Sequence, residues 1–430
     1  MTRRGRILLV IALLAIAMLI ALFWLSRPQS IAAIVTNRTG ATLGLEITAG
    51  GASEYRLRGT PMLVLRDVAV REPGAERILL RARRIHVAVP WSTLRAGGSE
   101  LVARRVELDA PRLDLPALQH WLATRPPTVE KRLPTLTHGL RIRDGEIDND
   151  DWRIDGIQAD LPLLDPRQPL RARLRGRYLD APLSIRADLT AAIIRPEALI
   201  RAGMTGFATH GQVTIERGKD WNLPATLVLS GPLRLGADDL RITPARLGIA
   251  ATFEAATTRV PFALGLHGPL HFDEATWTLA PAGVALRRHG GHHDEPNDPI
   301  PDLDARGTIA LGRKLTLQLD GALAQWPQAW PALPPPLGQS QSRLPLNLRY
   351  DGLPGFVDVA ALQVRRDATR FDGRFRLPQV LEWMEQKDGT PLPPLSGTLT
   401  TPELEISGAK LEGVQVEFDD TAAPAGESLP

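Results

Sequence analysis

Hydrophobic and polar residues alternate along most of the chain after residue 40. Because successive side chains of a strand point to opposite faces, this period of two predicts β-strands that each have one apolar face and one polar face. The alternation is clearest in residues 170–178, 314–323, 370–377 and 414–419. The side chains that we assign to the apolar face are Leu170, Leu174, Tyr178, Leu227, Leu229, Leu315, Leu317, Leu319, Phe371, Phe375, Val414, Val416 and Phe418.

Turn signals interrupt this alternation at short intervals. Examples are Arg-Asp-Gly-Glu at 143–146, Ser-Gly-Pro at 230–232 and Ser-Gly-Ala-Lys at 407–410, and such clusters are typical of tight turns. Between Leu65 and Val68 the apolar parity slips by one residue, which predicts a bulge or a tight corner within a continuing strand. The pattern as a whole predicts a long antiparallel meander.

Three short segments predict helices that act as lids or caps. Residues 115–122, 195–200 and 377–384 each have a proline near the start, followed by apolar residues at helical spacing. Proline suits the first helical position, and the spacing gives each helix one narrow apolar stripe. Residues 326–331 resemble a fourth copy, which runs into a proline-rich linker at 331–336.

The N-terminus has the pattern of a membrane anchor. Residues 7–25 are a run of 19 without charge, Gly or Pro, and as a helix they would be about 28 Å long, close to the hydrocarbon thickness of a bilayer. Arginines precede the run, so the positive-inside rule predicts a cytoplasmic N-terminus. A cleaved signal peptide is the alternative, but the run is longer than a typical signal core and no small-x-small cleavage site follows it. The predicted anchor includes Ile7, Leu14, Ile20, Phe23, Trp24 and Leu25.

Composition and charge narrow the function classes. The chain has 37 Gly, 37 Pro and 5% aromatic residues, a composition that suits many short strands separated by turns. It has no Cys, which excludes disulfides, thiolate metal sites and cysteine nucleophiles. Its net charge of +3 comes from arginines spread along strand-like segments, and this distribution argues against nucleic-acid binding.

Motifs that carry chemistry are absent from the sequence. It contains no phosphate-binding loop, GxSxG elbow, HExxH motif or dinucleotide fingerprint. His292 and His293 could bind a divalent ion from the polar stretch 289–301, but nothing around them would fix a metal geometry, so a solvated loop is favoured. We therefore predict no catalytic residues, no metal and no cofactor.

The order of several segments resembles the AsmA-like family. Its N-terminal module is similar to residues 59–68, 82–87, 91–97 and 106–113, and its closing strands are similar to residues 395–399, 404–406 and 414–418. The resemblance implies a bacterial inner-membrane protein with a periplasmic, curled β-sheet groove, related to the larger TamB-type proteins thought to carry phospholipid towards the outer membrane. This chain is shorter, and a groove of about twenty strands at ~4.8 Å each would be about 100 Å long.

The sequence thus predicts a mainly β protein, in which an N-terminal transmembrane helix is followed by an elongated, curled antiparallel sheet with a few short helices. The expected organisation is a cytoplasmic N-terminus (1–6), the span (7–25), an N-terminal periplasmic module (26–125), a β-rich middle (126–288), a polar His-rich loop (289–301), a C-terminal β-rich region (302–420) and a disordered tail (421–430).

The expected function is to bind or transfer phospholipid, or another acyl lipid, along the apolar face in support of outer-membrane homeostasis. The alternative is a packed, dry β-body that assists envelope assembly by binding another envelope protein. An envelope hydrolase with an unfamiliar active site is a third possibility.

Overall fold

The computed structural model describes residues 44–50, 54–56, 59–95, 102–124, 133–236, 239–256, 258–290, 299–327, 329–330, 337–338, 340, 342–385, 394–406 and 409–419. The anchor predicted at 7–25, the linker at 331–336, the histidines at 292–293 and the tail at 421–430 lie outside these residues. Within the described ranges no helix is both long enough and apolar enough to cross a bilayer.

The chain divides into two compact units, with the boundary between Ile200 and Arg201. The first unit contains β1 (Glu46–Ala49), β2 (Glu54–Arg56), β3 (Met62–Arg71), β4 (Ile78–Ala88), α1 (Trp91–Arg95), β5 (Val102–Ala103), β6 (Arg105–Asp109), β7 (Arg112–Asp114), α2 (Leu115–Ala123), β8 (Thr135–Leu136), β9 (Leu140–Asp148), β10 (Arg153–Leu161), β11 (Leu170–Asp180), β12 (Leu183–Ile193) and α3 (Glu197–Ile200).

The second unit is built almost entirely from strands. It contains β13 (Met204–Arg217), β14 (Trp221–Leu235), β15 (Leu240–Ala255), β16 (Thr258–Asp273), β17 (Thr276–Arg288), β18 (Leu303–Leu311), β19 (Leu315–Leu323), β20 (Leu344–Gly352), β21 (Ala360–Arg366), β22 (Thr369–Phe375), α4 (Leu377–Glu385), β23 (Leu395–Ile406) and β24 (Ala409–Phe418). The predicted mainly β fold with a few short helices is confirmed.

The predicted meander is confirmed for most of the chain. Each strand from β9 to β12, and each from β13 to β24, pairs antiparallel with the next strand along the chain. In the first unit, however, β6 and β7 pair parallel to β9, so a purely antiparallel arrangement is wrong there. The connection between them contains α2, and a parallel pair requires such a crossover because a tight turn would reverse the chain.

Two of the predicted turns are bulges inside long strands. Residues 143–146 lie within β9, where Asp144 has φ +54°, and residues 230–232 lie within β14, where the register with β15 shifts. A glycine or aspartate can adopt the backbone conformation of a bulge as readily as that of a turn, so the composition does not separate the two. The signal at 407–410 falls where β23 ends, at Ile406, and β24 begins, at Ala409. The slip before Val68 lies at Asp67, with φ +48°, inside the continuous β3.

The three predicted helices form α2, α3 and α4. Asp114 caps α2 by accepting a hydrogen bond of 2.9 Å from the amide of Ala117, and a proline occupies its first turn as expected. The fourth predicted helix, at 326–331, is wrong. Its described residues form a turn closed by the amide of Trp330 and the carbonyl of Pro327, because prolines on both sides leave too few amide donors for a helix.

The core of the first unit lies between its first strands and α2. Leu45, Leu65, Val68, Val70 and Leu79 form a buried cluster, against which apolar side chains of α2 pack. This helix therefore covers part of the apolar side of the first sheet, as a cap.

Candidate functional site: an apolar sheet face

The apolar side chains of the second unit line up across its strands in continuous rows. The register between neighbouring strands pairs each of these apolar residues with an apolar or small residue of the next strand. Row 1 is Leu227, Ile249, Leu264, Leu286, Leu303, Leu323 and Leu344. Row 2 is Leu229, Leu247, Leu266, Val284, Ala305, Gly321, Leu346, Val364, Phe371, Leu399 and Val416.

Two further rows extend the same face towards the other ends of the strands. Row 3 is Leu233, Ile242, Leu270, Leu279, Ile309, Leu317, Tyr350, Ala360, Phe375 and Leu395. Row 4 is Leu235, Leu240, Phe272, Trp277, Leu311 and Leu315. Row 2 runs from β14 to β24, and at ~4.8 Å per strand it is about 50 Å long.

The structure brings all the predicted apolar residues of the second unit to this face. Leu319 and Phe418 lie between rows 2 and 3, in line with Leu348 and Leu362. Val414 lies two residues before Val416, on the same side of β24. The first unit has an apolar face of its own, on which Leu170, Leu174 and Tyr178 pair with Ile193, Leu189 and Ile185 of β12. Whether these side chains bind lipid stays a prediction.

Row 4 forms an exposed border of the apolar face. Leu235 is 41% exposed, Trp277 is 38% exposed and Leu311 is 44% exposed. Most of row 2 is half-buried, and half of row 3 is buried. Leu319, at 6% exposure, belongs to a small buried cluster with Leu279, Ala282, Val284 and Ala305. Large apolar side chains exposed along one border of such a face are typical of a binding site.

The segment that follows β19 covers the last residues of row 1, on β19 and β20. Leu323, Leu344 and Val364 form a second buried cluster, against which Trp326 and Trp330 pack. The indole of Trp330 donates a hydrogen bond of 2.8 Å to the carbonyl of Pro299. The apolar face is therefore covered at the end of row 1 formed by β19 and β20, and it has an open border at row 4.

Arg366 holds in place the segment between the Trp326–Trp330 cover and β20. Its side chain is only 6% exposed, and it donates hydrogen bonds to the carbonyls of Ser342, at 2.6 and 3.0 Å, and Leu337, at 2.6 Å. A buried guanidinium is tolerated when its donors find such acceptors. Arg366 thus has a structural role, at the end of β21 and on the same side of this strand as Val364.

Aromatic pairs mark both borders of the apolar face. At the open border, the rings of Phe272 and Trp277 are 4.7 Å apart between centroids, and next to it, from row 3, the buried Tyr350 is 4.9 Å from Phe356. At the other border the pairs are Trp221 with Phe253, at 6.1 Å, and Trp326 with Trp330, at 4.8 Å. Tyr and Trp favour boundaries between apolar and polar surroundings, because each combines an apolar ring with one polar group.

A line of bulges crosses β14 to β17 between rows 2 and 3. The register shifts after Ser230, Ile242, His267 and Leu279 in turn. Close backbone contact requires glycine here: a Cβ at Gly268, where φ is +146°, would lie 2.2 Å from the carbonyl oxygen of Pro281. Aligned bulges increase the local twist and bend each strand at the same level.

The opposite face of each strand is polar and charged, as the alternation predicts. In the first unit Arg177 forms a bidentate pair with Asp155, at 2.7 and 2.9 Å, and its hydrogen bonds hold the pKa of Asp155 below the usual value. Hydrogen bonds from Arg173 lower the pKa of Asp188 in the same way. On the apolar face of β11, burial raises the pKa of Tyr178.

Sequence reasoning missed many members of the rows, including those of β15 and β17. In β15 the apolar positions change from even to odd between Ile242 and Leu247, and in β17 they change from odd to even between Leu279 and Val284. The bulges cause these changes, so a simple period of two fails there. A search for alternation on both sides of each Gly or Pro would have found them.

The described residues contain no group of three or more His, Cys, Asp or Glu side chains that could hold a metal ion. No protein-family model, no curated protein and no solved structure matches the chain. The description of the site therefore rests on its own geometry: a ribbon of apolar rows, open at one border and edged by aromatic pairs.

Proposed function

We propose that the protein binds acyl lipid on the apolar face of its second unit, and that it is a membrane-anchored envelope protein of the AsmA-like kind. The observation that carries this proposal is the open border. Row 4 exposes Leu235, Trp277 and Leu311 to solvent, beside rows of half-buried and buried apolar residues, of which row 2 extends for about 50 Å. A hydrocarbon layer about 30 Å thick holds two leaflets of acyl chains, so this surface has room for more than one lipid.

The chemistry of the face fits acyl chains better than a specific small molecule. Apart from Trp277 and Tyr350, whose hydroxyl already donates to the carbonyl of Leu353, its rows consist of Leu, Ile, Val, Phe, Ala and Gly, whose side chains offer no hydrogen-bond donor or acceptor to orient a polar ligand. Burial of apolar area, at roughly 25 cal/mol per Å², is the one source of affinity that they supply. Such a surface would hold hydrocarbon without selecting its exact length, and it would allow a chain to slide from row to row.

The aromatic borders support the same proposal. An acyl lipid on the face would place its headgroup at the edge of the apolar surface, where Trp277 lies beside Phe272. Tyr and Trp favour this level in membranes for the same physical reason. The predicted anchor at 7–25 would hold the body beside a source of lipid, with the N-terminus in the cytoplasm and the β-body in the periplasm.

The second candidate function is protein assembly by a dry, packed body. The buried clusters around Leu319 and Leu344 favour it, because parts of the face are already sealed by protein. It differs from the first proposal in one measurable property: a packed body carries no lipid.

Native mass spectrometry of the full chain, extracted in detergent, tests the proposal. We expect phospholipid to remain bound, and we expect Leu229→Asp to remove it by placing a carboxylate among the apolar rows. Val228→Asp is the matched control, because Val228 is the adjacent residue, points to the opposite face and is exposed. A lipid-free wild-type protein would support the second candidate instead, whereas equal lipid on both variants would show that lipid does not bind on row 2.

A further inference from the structure

The polar face of the first unit carries a cleft lined mainly by arginines. The cleft has a volume of about 320 Å³ and lies on β9, β10 and β11. Its charged and amide-bearing lining residues are Arg141, Arg143, Gln158, Asp160, Arg173 and Arg175. They come from the polar side of the alternation, so the cleft is separate from the apolar faces.

Strand register explains why these arginines converge. Asp160 pairs with Arg141 on one side and with Arg173 on the other, and Gln158 pairs with Arg175. The bulge at Asp144 brings Arg143 to the same level of the sheet. Cross-strand neighbours on one face are about 5 Å apart, so the guanidinium groups point into one shared space.

The carboxylates near the cleft are too few to neutralise it. The lining contains four arginines and one aspartate, and Asp160 is 3.5 Å from its nearest arginine nitrogen, on Arg141. Asp188 forms ion pairs with two arginines at once, and its Oδ2 is 3.0 Å from a terminal nitrogen of Arg173 and 2.7 Å from Nε of Arg175.

The acids of the neighbouring strand β6 are shared with arginines outside the cleft. Asp109 is 3.8 Å from Arg143 but 2.8 Å from Arg84, and Glu107, which pairs with Arg141 in register, is 2.7 Å from Arg105. When Arg84 and Arg105 are counted with the lining residues, six arginines surround the cleft with four acids: Glu107, Asp109, Asp160 and Asp188.

The unused donors of these arginines suit an anion with several oxygens. Arg175 contacts Asp188 only through Nε, which leaves both of its terminal nitrogens for a ligand. The four side chains are between 37% and 59% exposed, so a ligand can reach them from solvent. Guanidinium groups form paired hydrogen bonds with phosphate oxygens, and an uncharged ligand would leave the excess positive charge uncompensated.

We propose that this cleft binds a phosphate group, carried either by a soluble phosphate ester or by the headgroup of an anionic lipid. The two sources share one chemistry, and the site recognises that chemistry through Arg143 and Arg175 on either side of Gln158. The proposal does not depend on lipid binding by the second unit. If phosphate binding in the cleft is disproved, the proposal of lipid binding on the apolar face still stands, and the reverse also holds.

Calorimetric titration of the full chain in detergent with inorganic pyrophosphate tests the site, with sodium chloride of equal ionic strength as the reference. We expect saturable binding to the wild type and a loss of about tenfold or more in Arg143→Gln/Arg175→Gln, since each charge-assisted contact is worth roughly that factor. The matched control, Arg370→Gln/Arg374→Gln, removes the same charge from the polar face of β22 and should bind like the wild type.

Arginine labelling by phenylglyoxal, read peptide by peptide, distinguishes the two sources and does not require a variant to fold. Pyrophosphate should slow labelling of Arg143 and Arg175 but not of Arg370. If reconstitution into phosphatidylcholine vesicles that contain phosphatidate gives the same protection as pyrophosphate, the ligand is a lipid headgroup, whereas protection by pyrophosphate alone identifies a soluble phosphate. Equal response to chloride, unchanged binding in the cleft variant or absence of protection would overturn the proposal.

Discussion

Substitution of neighbouring leucines in β19 by aspartate distinguishes an open apolar face from a sealed core. Leu319 is enclosed by the buried cluster of the second unit and is 6% exposed. Leu317 lies one row nearer the open border, between Ile309 and Tyr350, and is half-buried. Gln318, between them in sequence, is exposed on the polar face and is the control.

The expected costs differ because only one of the two carboxylates can reach water. Leu319→Asp removes a packed side chain and buries an unpaired charge, which should cost about 4 kcal/mol or more. Leu317→Asp loses part of its apolar contact but keeps its carboxylate hydrated, so we expect about 1 kcal/mol. At roughly 2–4 °C per kcal/mol for a unit of this size, the losses in melting temperature are about 10 °C and about 3 °C.

Scanning calorimetry of the wild type and the three aspartate variants, in one detergent, measures these shifts. Gln318→Asp should melt within about 2 °C of the wild type, as surface substitutions usually do. If Leu317→Asp is as destabilising as Leu319→Asp, row 3 is sealed inside a core and the reasoning from the open border is wrong.

Three further predictions concern the scaffold. Gly268→Ala should lower the free energy of unfolding, measured by urea titration, by about 1–3 kcal/mol, because the added Cβ would meet a backbone carbonyl. Gly248→Ala is the control and should leave this free energy unchanged, because Gly248 has open space around it. Equal effects of the two substitutions would refute a role for the close contact. Arg366→Met should lower the free energy of unfolding by about 3 kcal/mol, since it leaves buried carbonyls without donors. Arg365→Met, at the exposed neighbouring residue, should have the melting temperature of the wild type. If Arg366→Met has no effect on stability, Arg366 does not hold the segment before β20 in place. Because its pKa is lowered in the folded state, Asp188 stabilises the fold above its ordinary pKa of 3.8, and this contribution is lost as pH falls through the lowered value; Asp188→Asn should therefore reduce the fall in melting temperature on acidification, and an unchanged acid profile would count against the ion pair.

The strands could be predicted from the sequence because alternation reports directly on which face of a strand is buried. The stretch at 314–323 became β19 with its apolar residues on one face, and Asp114 and Pro116 set the start of α2 where capping chemistry places it. These signals are local, so they do not depend on which strands become neighbours.

The features that could not be predicted depend on pairing between distant strands. The parallel pairing of β9 with β6 follows from a crossover whose return path the local pattern does not encode. The glycines in β14 and β16 read as turns or interruptions, although they allow bulges whose positions matter only because neighbouring strands bulge at the same level. The arginine cleft could not be predicted either, since the sequence shows only arginines spread along strands and their convergence requires the register of β9, β10 and β11.

The most direct test of lipid binding on the open apolar face is photo-crosslinking from within row 3. A photoreactive phenylalanine analogue at Leu317 should form an adduct with phospholipid in native membranes, detected as labelled lipid attached to the purified protein. The same analogue at Gln318 should form none, because that side chain points to the polar face. Lipid adducts at 317 and not at 318 are the predicted result; adducts at neither position, in a protein that remains folded, would contradict the account.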